Sequence, residues 1–211
     1  MPATDGHPRY SEDWLASFRA STKSELRRGC VVIDVGGGRN PAIPRSDLPA
    51  GATYIGLDLS ERELAAAPAG SYDRVIGADV TTFQVQLVAC ADVVVSYQVL
   101  EHVAPLDGAI ANIHSYLRPG GLFVAQLSGG RSAFALINRA IPHGLAKLAM
   151  KWLLHRDPDS VFPAPYDRCT YSALSQTLAG WSEVRILPRY RGATYFSFLP
   201  PLQAAYLRLE D

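Results

Sequence analysis

The apolar positions of this chain fall into two rhythms. Across residues 10–28, Trp14, Leu15, Phe18 and Leu26 recur among Ser, Glu, Lys and Arg at a spacing that predicts a leading amphipathic helix ended by Gly29. Short apolar runs follow at Val31–Ile33, Thr53–Leu57, Arg74–Ile76, Asp92–Ser96 and Leu122–Leu127, each of a length that suits a strand buried on both faces. Helical spacing returns between them, at Ser60–Ala67 and Leu106–Leu117. Strands alternating with helices predict a parallel, doubly wound sheet, whose right-handed crossovers gather the loops at the carboxyl ends of the strands along one edge. Ligands of open α/β sheets bind at that edge.

After Leu127 the rhythm changes. Ser128-Gly129-Gly130 opens a stretch rich in Ala, Leu and Pro, read as a helical cap insertion over about residues 130–165. Within it Gly144–Leu154 sets Lys147 and Lys151 on one side of a helix and Leu145, Leu148, Ala149 and Trp152 on another. An ordinary lid is the plain reading of such a helix, and two lysines are too few for stable membrane anchoring. Two late runs, Glu183–Leu187 and Thr194–Leu199, are joined by Pro188–Gly192, a link that suits a closing antiparallel hairpin. The expected architecture is therefore α/β and Rossmann-like: about seven mostly parallel strands, an antiparallel edge hairpin and a helical cap, all in a single domain spanning residues 1–211.

Composition narrows the partners. Twenty Lys and Arg balance twenty Asp and Glu, so no broad field attracts nucleic acid or an anionic membrane. Cys30, Cys90 and Cys169 are far apart and lack paired metal-ligand spacing, which argues against a disulfide framework or zinc and for a reducing cytoplasm. The start carries Asp5, His7 and Arg9 with no apolar run behind it, unlike a secretory signal, and the most apolar stretches are broken by charges or by Pro200-Pro201.

The informative residues follow the strands. In Ile33-Asp34-Val35-Gly36-Gly37-Gly38-Arg39-Asn40 the glycines allow a tight turn and close approach of a ligand, although parallel sheets also use such turns for packing. Twenty-two residues after Gly36, Asp58 ends the next strand, where an ionised carboxylate can accept hydrogen bonds from both hydroxyls of a ribose; capping the following helix is the plainer role. A nicotinamide dehydrogenase would share these features. Its third fingerprint glycine, however, is here Pro41.

With these residues in view, the chain resembles the class I S-adenosylmethionine-dependent methyltransferases, in particular their small-molecule branch, over roughly Val31 to Leu127. Asp34 through Asn40 is similar to the acidic-x-Gly-x-Gly-x-Gly signature, with Asn40 in place of the last glycine. The resemblance implies that Asp34, Gly36, Gly37, Gly38 and Asn40 hold the methionine part of the cofactor, Asp58 the ribose and Leu59 one side of the adenine. Gly77-Ala78-Asp79-Val80 is similar to the third motif, so that Asp79 approaches the adenine amino group and Val80 packs by the ring. Asp92–Val103, with Leu100-Glu101-His102, resembles the fourth strand and the turn after it, and places Ser96 among the cofactor residues. Leu117-Arg118-Pro119-Gly120-Gly121 resembles the turn before the fifth strand.

Asn40 tolerates left-handed backbone better than most residues, which offers the turn a substitute for its glycine. Pro41 and Pro44 crowd the segment that continues as a long helix in the family, so a shortened or displaced first helix is expected.

Methyl transfer from a sulfonium is an in-line displacement, so the protein must hold the acceptor behind the methyl and exclude water. Acid–base chemistry is needed only where the acceptor must lose a proton. His102, after the fourth strand, is then the candidate base or acceptor-positioning residue, with a structural histidine at a helix start as the other reading. Ala164–Tyr171 closes the cap before a helix at Ser172–Ala179; Tyr166, Arg168 and Tyr171 are candidate acceptor contacts, and Thr170 a candidate helix cap. The expected activity is transfer of a methyl group from S-adenosylmethionine to an O or N atom of a small molecule such as a sugar, lipid or secondary metabolite, with no metal. A degenerate cofactor-binding member acting through partners and a nicotinamide oxidoreductase are the alternatives. Tyr195, Phe196, Phe198 and Tyr206 suggest core packing, with a homodimer through that end as the other use.

Overall fold

A computed structural model describes residues 10, 13–130, 132, 164–190 and 192–210. Their contacts divide the chain into two compact units, one built on residues 15–127 with 165–168 and the other holding 169–211. The first unit contains the sheet. Helix α1 (Trp14–Lys23) leads into β1 (Val31–Val35), β2 (Thr53–Asp58), α2 (Glu61–Ala65), β3 (Arg74–Gly77), β4 (Ala91–Tyr97), α3 (Leu106–Tyr116) and β5 (Leu117–Gln126).

All five strands are parallel, in the order β3-β2-β1-β4-β5. Chain order reverses between β1 and β4, so the crevice beyond their carboxyl ends is the switch point at which such sheets bind ligands. Val32, Val93 and Val95 share one face with Tyr54, where Phe18 of α1 and Ala42 and Ile43 of the β1–β2 connection complete a core. Ile33, Val35, Leu57 and Val94 alternate onto the opposite face and are also buried. Each such side chain contributes about 1.5–3 kcal/mol by leaving water. Near-continuous apolar runs were the correct sign of strands covered on both sides for β1, β2 and β4, whereas the edge strands β3 and β5 contain no buried residue.

Between β1 and β2 no α-helix forms; a single 3-10 turn, Arg45–Asp47, occupies the connection. The expected shortening of the first helix is therefore realised, because Pro41, Pro44 and Pro49 each remove an N–H and restrict the residue before them. The predicted helix at Ser60–Ala67 is short, with the Ser60 hydroxyl accepting from the Glu63 N–H as its cap.

The expected seven strands and closing hairpin are corrected in the second unit. Residues 183–190 form no regular element, and Ala193–Phe196 is a 3-10 turn rather than a strand. A strand survives only where a neighbour pairs its N–H and C=O groups, and without the second run the first has no partner of that kind among the described residues. The chain instead closes in α5 (Pro200–Glu210), a helix the sequence reading missed; Pro200-Pro201 lies at its first turn, where proline is well tolerated. The Phe196 and Tyr206 rings pack 4.9 Å apart, so these two aromatics are used internally. Helix α4 (Tyr171–Thr177) matches the predicted helix after the cap, with the Thr170 hydroxyl accepting from the Ala173 N–H as its cap. The cap over 130–165, including 144–154, lies almost wholly outside the described residues.

Candidate functional site

Four loops converge at the carboxyl edge: 36–40 after β1, 58–60 after β2, 78–80 after β3 and 98–103 after β4. The first turns sharply through left-handed residues, Gly36 at φ 78° and Gly38 at φ 48°. Asn40 does not take that conformation; it is exposed, and its N–H closes the turn onto the Gly37 carbonyl at 2.9 Å. The expectation that Asn40 substitutes for a left-handed glycine is thus corrected, since the glycines already present supply the turn.

Glycine at 37 is required from below. A Cβ there would overlap the Asp34 carboxylate and the Tyr72 hydroxyl. Asp34 is fully buried, with its Oδ2 accepting from the Ala42 N–H at 2.8 Å and from the Tyr54 hydroxyl at 2.6 Å. Burial outweighs these bonds and pushes its carboxyl up to about 6. Asp34 therefore shapes the loop from inside rather than lining its outer surface.

Asp58 stands across from the loop. It is half-buried, its Oδ1 accepts from the Ser60 N–H at 2.8 Å, and a Cβ on Gly38 would lie 3.1 Å from its Oδ2. Burial raises its carboxyl above the ordinary range, opposed by that N–H. One Asp58 oxygen tethers the start of α2, whose cap is Ser60, and the other faces the glycine loop. Leu59, next to it, is 69% exposed, an apolar side chain left in water beside a carboxylate. Arg39 pairs with Glu63 through two hydrogen bonds, which hold the Glu63 carboxyl below its usual range and fasten the loop's outer end to α2.

Asp79 is exposed after β3, with its Oδ1 accepting from both the N–H and the hydroxyl of Thr81 at 2.8 Å. Val80 is buried, and its carbonyl accepts from Asn112 of α3 at 2.9 Å. Ser96 is fully buried, its hydroxyl donating to the Val35 carbonyl at 3.2 Å, so its side chain braces β1 against β4. His102 is exposed on the 3-10 turn Leu100–His102, at the same edge as the glycine loop.

Residues 165–168 belong to the sheet unit and lie against this last loop. The Tyr166 N–H donates to the Glu101 carbonyl at 3.1 Å, and Asp167 Oδ2 accepts from the Leu106 N–H at 2.8 Å, capping the start of α3. Tyr166 is buried, which makes it a support of the loop; Arg168 is half-buried. Tyr171 is 60% exposed and belongs to the second unit. Sequence reasoning missed Tyr54, Tyr72 and Asp167. The pleat offered a signal for the first, since Tyr54 and Asp34 lie on one face of adjacent strands; Tyr72 and Asp167 sit in irregular segments with no periodicity.

Among the described residues no group of His, Cys, Asp and Glu is placed to hold a metal, and no helix is long and apolar enough to cross a membrane. Residues 33–125 match the family model of a methyltransferase domain. The ubiquinone biosynthesis O-methyltransferase of Agrobacterium fabrum is 31% identical over 131 residues, covering 59% of this chain and 50% of that protein. The chain thus spans about half the length of the curated relatives it matches. Two solved structures share the fold: a candidate S-adenosylmethionine-dependent methyltransferase from Listeria monocytogenes (TM-score 0.54, 16% identity, 90% of this chain and 92% of that one), and another from Methanococcus maripaludis (TM-score 0.53, 15% identity, 83% and 82%).

Proposed function

We propose that this chain, whose residues 33–125 match a methyltransferase domain, is a class I S-adenosylmethionine-dependent methyltransferase that transfers a methyl group from S-adenosylmethionine to an O or N atom of a small molecule. The observation that carries this reading is the pairing of the Gly36–Gly38 turn with the half-buried Asp58 carboxylate at the next strand end, on the edge that also bears His102. The residues present fit the cofactor. Asp58 has an oxygen facing the loop for a ribose diol, exposed Leu59 offers an apolar wall, and Asp79 and Val80 follow the end of the adjacent strand β3.

The bound cofactor supplies an electrophilic methyl on a sulfonium. The chain's own task is to orient it, hold an acceptor in line and keep water out. In this reading His102 takes a proton from a hydroxyl acceptor or orients it, and Arg168 is the acceptor contact to test. The curated relatives are named O-methyltransferases, which favours oxygen and makes phenols the first acceptors to try. A nicotinamide dinucleotide is disfavoured because its pyrophosphate needs a helix N-terminus after the glycine turn, and the β1–β2 connection has no α-helix.

Isothermal titration with S-adenosylmethionine and S-adenosylhomocysteine tests this reading. Micromolar binding, about −8 kcal/mol, is expected, weakened by about 1.5–3 kcal/mol in Asp58→Ala. Transfer of labelled methyl to a phenolic panel then tests the acceptor. Binding of neither ligand would overturn the proposal.

A further inference from the structure

Behind the glycine loop, on its inner side, lies a buried polar cluster that the proposed chemistry leaves unused. Asp34 Oδ2 is within reach of three donors: the Ala42 N–H at 2.8 Å, the Tyr54 hydroxyl at 2.6 Å and the Tyr72 hydroxyl at 3.3 Å. Its Oδ1 is sealed from solvent and has no hydrogen-bond partner. The Tyr54 oxygen also accepts from the Ile43 N–H at 3.1 Å, so β2 is tied through one phenol to the chain on both sides of the loop. Tyr72 is placed differently. Its single proton has two acceptors, Asp34 Oδ2 and the Gly38 carbonyl at 3.2 Å.

We infer that Tyr72 is a positioning residue for the cofactor, its hydroxyl linking the Asp34 carboxyl to the Gly38 carbonyl of the loop that would hold the ligand. The inference rests on the S-adenosylmethionine reading of that loop. Several features require such a link here. No α-helix follows the loop to fix its backbone, so it must be held from beneath. Gly56 leaves the space that the Tyr72 ring fills, and Gly37 lets the loop descend onto the hydroxyl. With Asp34 ionised, the Tyr72 proton is drawn to the carboxylate; with Asp34 protonated, that pull is gone and the proton turns to Gly38. Gly38 in turn abuts Asp58, the proposed ribose contact. The charge state of a buried acid is thereby felt at the ligand face through one phenol.

Because S-adenosylmethionine carries a positive sulfonium and an ammonium, its binding favours ionised Asp34. Its affinity for the wild-type protein is then expected to fall as the pH drops through about 6, where Asp34 takes up its proton. The other charged group facing Asp34 is Asp58, with Glu63 and then Arg39 beyond it, and any titration of these persists when Asp34 is made neutral.

The test is titration with S-adenosylmethionine between pH 5 and 8.5 for the wild type, Tyr72→Phe and Asp34→Asn. Tyr116→Phe, which alters a phenol bonded to the Gln84 N–H, serves as the stability control. Tyr72→Phe is expected to bind about five- to tenfold more weakly at pH 8, with the pH midpoint moved upward because a bond favouring the carboxylate is gone. Asp34→Asn is expected to flatten the profile near pH 6, and it decides the matter should Tyr72→Phe fail to fold. Wild-type affinity and midpoint in Tyr72→Phe, or an undiminished profile in Asp34→Asn, would overturn the inference while leaving the cofactor reading intact. A wild-type protein that binds no S-adenosylmethionine at any pH would overturn both.

Discussion

The Tyr54 hydroxyl donates to Asp34 Oδ2 at 2.6 Å, joining β2 to β1 by a side-chain bond directly beneath the glycine loop. Adjacent parallel strands are ordinarily tied by backbone alone on this face, with a helix above. Here the β1–β2 connection carries only a 3-10 turn, and a buried carboxyl gathers the loop, Ala42 and two phenols around itself.

That arrangement makes stability depend on pH in an unusual sense. Asp34 has its carboxyl raised from 3.8 to about 6 by burial, so the folded chain binds its proton more tightly than the unfolded chain. The stability contributed by this group is full below pH about 4 and lost as the pH rises through about 6. Urea unfolding should show the wild type losing about 3 kcal/mol relative to Asp34→Asn between pH 4 and 7.5. A constant difference across that window would show that Asp34 does not titrate there.

Gly37→Ala should be among the costly glycine replacements. The added methyl meets the fully buried Asp34 carboxylate and the half-buried Tyr72 hydroxyl. A loss of about 1–3 kcal/mol in unfolding free energy is expected, with cofactor affinity reduced in the protein that remains folded. Wild-type stability would mean that the loop rises off the cluster without penalty.

For His102→Ala, cofactor affinity should stay at the wild-type value, because the side chain is exposed and is not among the proposed cofactor contacts. Turnover on a hydroxyl acceptor should fall by about a hundredfold or more if the imidazole takes the proton. Steady-state rates measured on an accepted phenol decide this, and unchanged turnover would remove the role.

Asp167→Ala tests the support of the β4–α3 loop. Asp167 accepts from the Leu106 N–H, one of the backbone donors left unpaired at a helix start. Its loss should cost about 0.5–2 kcal/mol, read as faster amide exchange at the first turn of α3 and a lower unfolding midpoint. Protection unchanged at Leu106 would assign the bond no weight.

The sheet was legible from the sequence because its strands are short apolar runs: β1, β2 and β4 are buried on both faces, a pattern set by solvent transfer, while the edge strands β3 and β5 contain no buried residue. The order of the loops was legible too, since right-handed crossovers leave one edge for Gly36–Gly38, Asp58, Asp79 and His102. Local chemistry likewise pointed to a shortened or displaced first helix, through Pro41 and Pro44, and only a 3-10 turn forms there. The tail was misread because a strand is a property of two segments: Glu183–Leu187 has a suitable composition, but the residues expected to pair with it turn into a 3-10 helix and then α5. Side-chain roles were decided only in three dimensions. Nothing in the spacing of Asp34 and Ser96 distinguishes a side chain that faces a ligand from one sealed beneath it, and Tyr72 gains its place from contacts with residues 34 and 38 positions away. Burial and hydrogen-bond geometry depend on where the whole chain closes, so tertiary structure alone turned the acid of the glycine motif into a buried strut.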